Sequence, residues 1–533
     1  NLNATPSPLQ WSTSTVDSYY FTHSTTTDSH KVTLKQSGAY LLAVTLPQQR
    51  TDGNSSRTRI GVEVKVNGVT VPEGLGRSGY IRNATTHSES SSHTSFLLKD
   101  ISPNDYVEVY TEGLTTIDAG DVVNVTGKAG LYLEYISSTR DVFSATSTRT
   151  TNSTNLNQTT AYSLEWTETR QDSGFTHSDS VNPEHIIIAN AGTYMVTVNV
   201  PLTGDTAQQS VLGRVRLDGV LVNGGIFAQG YTQSAANESD GDSSIHWSGI
   251  VIATTTNQVL TITTEREGSA GTSSVSTGFV GSVFIEELPT ADIIVLEGTR
   301  LVSGTNWNPA ASSSVQWATQ RDYDTTVFTH STSTNSHQIT VDEAGSYFVS
   351  YNDAINGAVG RGNTTVKVLV NGTEVTGAQV KSHYIRNQSG HTNSSGSLVY
   401  LLENLSANDI ISVTSVQEAG AGTLDDTTPA LLMVWQKTQL NERPASPTLY
   451  DAPFNNIRFA STTPYFDFSS ADPDGTSDIQ YQFSISTTSG FTASTTRVSG
   501  TDSGFSNTAS STDTSPFVEG NKIRFQLQSA DAL

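Results

Sequence analysis

The chain contains no cysteine and only two methionines. Disulfide scaffolds, thiolate zinc sites and cysteine nucleophiles are thereby excluded. Positive charge is scarce, with 28 basic residues against 51 acidic ones and a net charge of −23 at pH 7. Nucleic-acid binding needs a basic stripe that displaces counterions, so this balance argues against it. No run of about 18 or more apolar residues occurs, and no segment of this stretch is expected to span a membrane as a helix. A charged-then-apolar leader is missing too, and with Asn1 at its head the sequence reads as a processed or trimmed chain.

Serine and threonine are what the chain has in excess, 145 of 533 residues. Such a composition also suits a flexible stalk, but short apolar alternations recur throughout. Examples are RIGVEVKVNGV (59–69), HQITVDEAGSYFVS (337–350) and NDIISVTSV (408–416). Period-two apolarity rich in Val, Ile, Tyr and Thr, punctuated by Asn-Gly and Asp-Gly, predicts strands joined by tight turns. No helix-period stretch of useful length competes with it. The expected fold class is all-β, built of tandem β-sandwiches.

Internal repetition organises the chain. Trp11, Trp166 and Trp317 each open a copy, at spacings of 155 and 151 residues. The motif F-T-H-S follows at 21–24, 175–178 and 328–331, then a second histidine at His30, His185 and His337. Next come G-x-Y (Gly38/Tyr40, Gly192/Tyr194, Gly345/Tyr347) and a strand ending in VKVNG, VRLDG or VLVNG. A third histidine, His93, His246 or His391, precedes another apolar strand. Copies one and three share Ser-x-Asn-Asp at Ser102–Asp105 and Ser406–Asp409, and each copy closes on an apolar strand such as GLYLEYI (130–136). The boundaries expected are 1–140, 141–290 and 291–440, with a different segment at 441–533.

The segments GAYLLAVTL, VKVNG, ISPNDYVEV and LYLEY, in that order, resemble the tumour-necrosis-factor-like jelly roll of the complement globular-head superfamily. That resemblance implies a binding or assembly module, commonly trimeric, and not an enzyme. The last segment opens with ERPASPTLYDAP and continues through FDFSSADPDGTSDIQYQFSIST. It resembles fibronectin type III-like or immunoglobulin-like bacterial surface modules and looks cut short. Two copies carry T-R-x5-N-x-N before their tryptophan, whereas Asn1-Leu2-Asn3 matches only the end of that motif. This suggests processing at the N-terminus or a longer array.

Histidine is the first candidate chemistry, since imidazole ligates metals and titrates near neutral pH. The repeated set is His23, His30, His93, His177, His185, His246, His330, His337 and His391. They suit metal binding or pH sensing, or plain hydrogen bonding to loop backbones, which is the more economical expectation. Asp472, Asp474 and Asp478 surround a D-P-D-G run with the oxygen-rich character of a calcium loop, and the same residues also make ordinary turns. Twelve N-x-S/T sequons are glycosylation candidates: Asn3, Asn54, Asn83, Asn124, Asn152, Asn157, Asn237, Asn363, Asn371, Asn387, Asn393 and Asn404. Trp11, Trp166 and Trp317 are expected to anchor cores or interfaces, and burial is expected for Trp247, Trp307 and Trp435 as well. No catalytic serine elbow, Walker loop or dinucleotide glycine motif is present.

Together these features point to an exported, non-enzymatic β-sandwich protein that self-assembles into a microbial surface filament, sheath or surface layer. The alternative is an adhesin or viral receptor-binding fibre that recognises glycan or protein, and a weaker one is the non-catalytic part of a secreted hydrolase. The stretch before Trp11 is a candidate for strand addition to a neighbouring subunit or for a disordered tail. Calcium is the one cofactor expected as possible.

Overall fold

The computed structural model describes residues 6–50, 57–79, 81–82, 88–111, 123–125, 127–138, 140–205, 209–228, 241–357, 362–382, 385, 390–419 and 422–437. Beyond these it describes 448–449, 468–469, 479–486, 494–502 and 524–531. Regular structure in them is entirely β-strand. No helix is long and apolar enough to cross a membrane. Asn1–Lys437 forms one compact unit and Thr438–Leu533 a second.

Strands fall in three successive sets. The first holds β1 (Phe21–His23), β2 (Lys31–Leu34), β3 (Gly38–Arg50), β4 (Arg57–Thr58), β5 (Gly61–Val66) and β6 (Val69–Arg77). It continues with β7 (Ile81–Arg82), β8 (Glu89–Ile101), β9 (Tyr106–Thr111), β10 (Val123–Val125) and β11 (Gly130–Ile136). The second holds β12 (Val142–Thr150), β13 (Tyr162–Gln171), β14 (Phe175–Thr176), β15 (Ile186–Ile188), β16 (Gly192–Gly204) and β17 (Val211–Leu217). It ends with β18 (Val220–Ala228), β19 (Asp242–Ala253), β20 (Gln258–Arg266), β21 (Ser273–Val275) and β22 (Gly281–Glu287). The third holds β23 (Ile293–Leu301), β24 (Ser313–Tyr323), β25 (Phe328–His330), β26 (Ile339–Val341) and β27 (Gly345–Asn356). After these come β28 (Asn363–Val370), β29 (Thr373–Lys381), β30 (Asn393–Leu405), β31 (Ile410–Ala419) and β32 (Asp425–Lys437). The second unit shows β33 (Thr448–Leu449), β34 (Phe468–Ser469), β35 (Ile479–Ser486), β36 (Ser494–Asp502) and β37 (Arg524–Asp531), paired as β33-β34 and β36-β35-β37.

Turn chemistry fixes the hairpins. Asn67-Gly68, Asp218-Gly219 and Asn371-Gly372 all have positive φ at both residues. That is the type I′ geometry whose twist matches flanking strands, and it joins β5–β6, β17–β18 and β28–β29 through two residues.

Each set folds as a two-sheet sandwich. The front sheets run β1-β2-β9-β5-β6, β14-β15-β20-β17-β18 and β25-β26-β31-β28-β29. The back sheets run β8-β3-β11, β19-β16-β22-β12-β13 and β30-β27-β32-β23-β24. β13 and β24 also touch the front sheet, where Tyr162 and Ser163 pair with β20 and Ser313 and Ser314 pair with β31. In the first sandwich that contact is a single bridge from Pro8 to Tyr110, and no described strand lies beyond β11.

Three cores fill the sandwiches, each with one repeated tryptophan, Trp11, Trp166 or Trp317. A fourth apolar cluster lies between them and draws on all three. Its origin is visible in the run GAYLLAVTL of β3, where Tyr40, Leu42 and Val44 enter the first core while Ala39 and Leu41 enter the shared cluster. A strand apolar on both faces is a strand buried on both faces.

Strand register shows the symmetry. Tyr40, Tyr194 and Tyr347 stand opposite Leu98, Val251 and Leu402 and opposite Tyr135, Glu287 and Gln436. Counting from these positions, Leu41, Met195 and Phe348 form one layer of the shared cluster. Leu97, Ile250 and Leu401 form the next, and Tyr132, Phe284 and Met433 a third. Burying each such side chain contributes roughly 1.5–3 kcal/mol. The sandwiches therefore close around a pseudo-threefold axis instead of stringing out as beads.

Candidate functional site

The ring is closed by one hydrogen bond used three times. The N–H of Arg77 donates to Ser244 Oγ at 2.9 Å, that of Ala228 to Ser395 Oγ at 3.1 Å, and that of Lys381 to Ser91 Oγ at 3.0 Å. The donors end β6, β18 and β29, and the acceptors occupy equivalent places on β19, β30 and β8. First sandwich thus binds second, second binds third, and third returns to first. All three hydroxyls are buried.

Side chains beside these bonds differ from seam to seam. At the first seam Asp242 lies 2.6 Å from Arg59 and 3.6 Å from Arg77. At the second, Glu267 Oε1 accepts from the Asn393 amide at 2.7 Å and from two backbone N–H groups at 3.1 Å each. At the third, the buried Lys381 ammonium contacts Glu89 and lies 3.1 Å from Glu418 and 3.2 Å from Thr365 Oγ1. Burial and the neighbouring Glu418 push the Glu89 carboxyl up to about 7 against the pull of Lys381. Burial also opposes ionisation of Glu418, but its hydrogen bond from Glu89 and the Lys381 charge hold it below the ordinary value.

A second ionic group caps the apolar layers. Glu134 accepts from Tyr132 Oη, Arg140 and Lys437, each at 2.7 Å, and Arg140 also reaches Glu286. Burial would raise Glu134, yet Lys437 and Arg140 hold it at about 2. Burial pushes the Lys437 ammonium down to about 8, and it lies 3.4 Å over the Trp435 ring. Every one of these charges faces an opposite charge, as burial demands. Their evident use is cohesion.

The repeated histidines separate into three situations. His23 and His330 place Nε2 at 3.1 Å from the carbonyls of Ser29 and Ser336, and His177 places Nδ1 at 2.8 Å from that of His185. These imidazoles tie down the loop that follows F-T-H-S. His30, His185 and His337 are half-buried or more exposed in that loop, with His30 3.3 Å from Glu108 and His185 3.7 Å from Glu184. His93 and His246 stack across the first seam with ring centroids 5.6 Å apart. Burial pushes His246 down to about 3, and its Nε2 lies 3.0 Å from Ser95 Oγ.

His391 corrects the alignment read from sequence. Tyr347 pairs with Leu402, so the residue equivalent to His93 and His246 is Ser397, opposite Asn352. His391 precedes β30 and is buried. Among the described residues no group of three or more His, Asp or Glu is placed to hold a metal ion. Asp472, Asp474 and Asp478 lie outside the described residues.

The sequons also divide. Asn152, Asn371 and Asn404 are exposed. Asn157 and Asn363 are buried; Asn157 Nδ2 donates to the Ser269 and Gly271 carbonyls, Asn363 Nδ2 to those of Glu89 and Ser382. A sugar on either nitrogen is incompatible with this packing. Asn393 spends its amide on Glu267. Asn124 falls in β10, and Asn3, Asn54, Asn83, Asn237 and Asn387 lie outside the described residues. Trp247 and Trp307 are fully buried and Trp435 is partly so.

The seam serines are the residues that sequence reading missed. Their signal is present as E-S-S-S-H (89–93), D-S-S-I-H (242–246) and N-S-S-G-S (393–397). In the third copy Ser397 stands where the other two have histidine, so the match is hard to see along the sequence.

No family model matches the chain, and no curated protein matches it. Among solved structures, murine APRIL at pH 8.5 and at pH 8.0 each match with a TM-score of 0.20 and 11% identity, covering 28% of this chain and 98% of that one. A GH78 family rhamnosidase of Bacillus sp. GL1 matches with a TM-score of 0.12 and 10% identity, covering 78% of this chain and 55% of the rhamnosidase. At these scores the likenesses carry no functional argument.

Proposed function

We propose that this chain is an extracellular, non-enzymatic structural protein that self-assembles into a microbial surface filament, sheath or layer. In this reading the three sandwiches are tumour-necrosis-factor-like jelly rolls, and 441–533 is a fibronectin type III-like or immunoglobulin-like module. The observation that carries it is the closed ring. Three copies of one fold are spent on burying one another's faces, and the polar groups inside are matched for cohesion. Such a body is stiff without disulfides, which suits a load-bearing subunit. Electron microscopy of native material tests it: regular polymers are expected, with subunit contacts above roughly 1,000 Å². Dispersed particles at all concentrations would overturn it.

A second reading, an adhesin or viral receptor-binding fibre, is favoured by the same threefold-like head. A glycan-array signal from a non-polymerising chain would select it.

A further inference from the structure

The three seams share one backbone hydrogen bond but are tied differently along the chain. The first and second seams join consecutive sandwiches, linked by the short connections 137–141 and 288–292. The third seam joins the last sandwich back to the first, and no short connection ties that pair. Contacts alone close the ring there. They include the bond from the Lys381 N–H to Ser91 Oγ and the Asn363 amide, which donates to the Glu89 carbonyl at 3.1 Å.

Charge differs from seam to seam as well. At the first, one carboxylate, Asp242, faces two guanidiniums, those of Arg59 and Arg77. At the second, Glu267 meets the neutral Asn393 amide, and Ala228 stands where the other seams have a cation. At the third, one buried ammonium faces two carboxyls: Lys381 contacts Glu89 of the first sandwich and lies 3.1 Å from Glu418 of its own. β28 brings only the neutral Thr365 and Asn363 to this group, and on β3 Arg50 follows Gln49, the residue paired with Glu89. Lys381 balances one carboxylate and not two. While Glu89 keeps its proton it donates to Glu418, and Glu89, Glu418 and Lys381 together sum to zero charge. Once Glu89 ionises, a second negative charge sits in the seam. Parting the two sandwiches returns both carboxylates to water.

We propose that the third seam is a latch, closed by a proton held between Glu89 and Glu418, through which the ring opens as pH rises while the other two seams stay shut. The opening is local: it parts β8 of the first sandwich from β29 of the third and leaves each sandwich folded. Its window follows from Glu89, which keeps its proton up to about pH 7 in the closed seam and releases it near 4.5 once free. Opening is therefore expected to grow about tenfold per pH unit between these values and to level off above them.

The chain has no cysteine, so single thiols can be placed at the three equivalent buried serines. Full chains carrying Ser91→Cys, Ser244→Cys or Ser395→Cys are trapped with a dithiodipyridine across the pH window, each rate divided by that of the unfolded chain at the same pH. The corrected rate at position 91 is expected to rise by about tenfold or more between about pH 5 and pH 7, with positions 244 and 395 unchanged. Adding Glu89→Gln is expected to remove the rise. Hydrogen exchange of the Lys381, Arg77 and Ala228 N–H groups repeats the comparison in the unsubstituted chain. A third seam whose corrected rates do not change with pH overturns the proposal. Equal rises at all three seams overturn it too, because the body then loosens as a whole. So does a rise that survives Glu89→Gln.

Discussion

At the residue scale, burial decides the role of each polar group. His177 faces backbone carbonyls on both sides, at 2.8 Å from His185 and 3.2 Å from Trp166. We expect His177→Ala to cost about 1–3 kcal/mol, because a fully buried imidazole that holds the exposed loop to the sandwich is lost. Urea unfolding of the two proteins measures it. The third seam adds a pH dependence. Glu89 has a higher pKa in the fold than in the unfolded chain, so the folded state holds that proton more tightly. Its contribution is full below the unfolded value near 4.5 and is lost as pH rises through about 7. Asp353, pushed by burial up to about 6, has the same sign. Between about pH 4.5 and pH 7 these two carboxyls lower the thermal midpoint while His246, held down to about 3, opposes them, and Glu89→Gln is expected to leave a midpoint that falls less with pH than the wild type's. An unchanged slope in the variant would refute the assignment to Glu89.

At the element scale, the hairpins β5–β6, β17–β18 and β28–β29 depend on two consecutive positive φ values. Gly219 has φ of 77° with open space around it, so alanine there meets no clash and only backbone strain. Gly219→Ala is expected to cost about 1–2 kcal/mol, and Asn371→Val in the third hairpin a comparable amount. Chemical denaturation of each variant checks the values. Much of this level was legible beforehand, because alternation and Asx-Gly turns are written in neighbouring residues. The third histidine was misaligned because the matching position is defined by pairing of β30 with β27, and that register is not a local property.

At the scale of the whole molecule, the shared cluster makes the three sandwiches one cooperative body. Phe348, 1% exposed at the axis, touches Tyr132 of the first sandwich at a ring distance of 5.1 Å. Phe348→Ala is expected to cost about 3–5 kcal/mol, more than loss of a surface aromatic. Calorimetry is expected to show residues 6–437 melting in one transition, not three, and Phe348→Ala is expected to lower it as a unit. Three resolved transitions would refute the closed ring. Substituting Ser91, Ser244 and Ser395 by alanine leaves one buried N–H without its acceptor at each seam. The three losses are expected to be of similar size.

The sequence by itself determined the all-β class, the threefold repetition, the hairpin turns and the tryptophans of the cores. Each of these follows from short-range periodicity or from spacing along the chain. It also held the second apolar face of β3, in GAYLLAVTL, without saying what covers it. Only the tertiary structure decided that this face meets Met195 and Phe348 and that serines close the ring in cyclic order. These outcomes depend on which strand lies beside which, and neighbours in space are chosen by the packing of whole sheets.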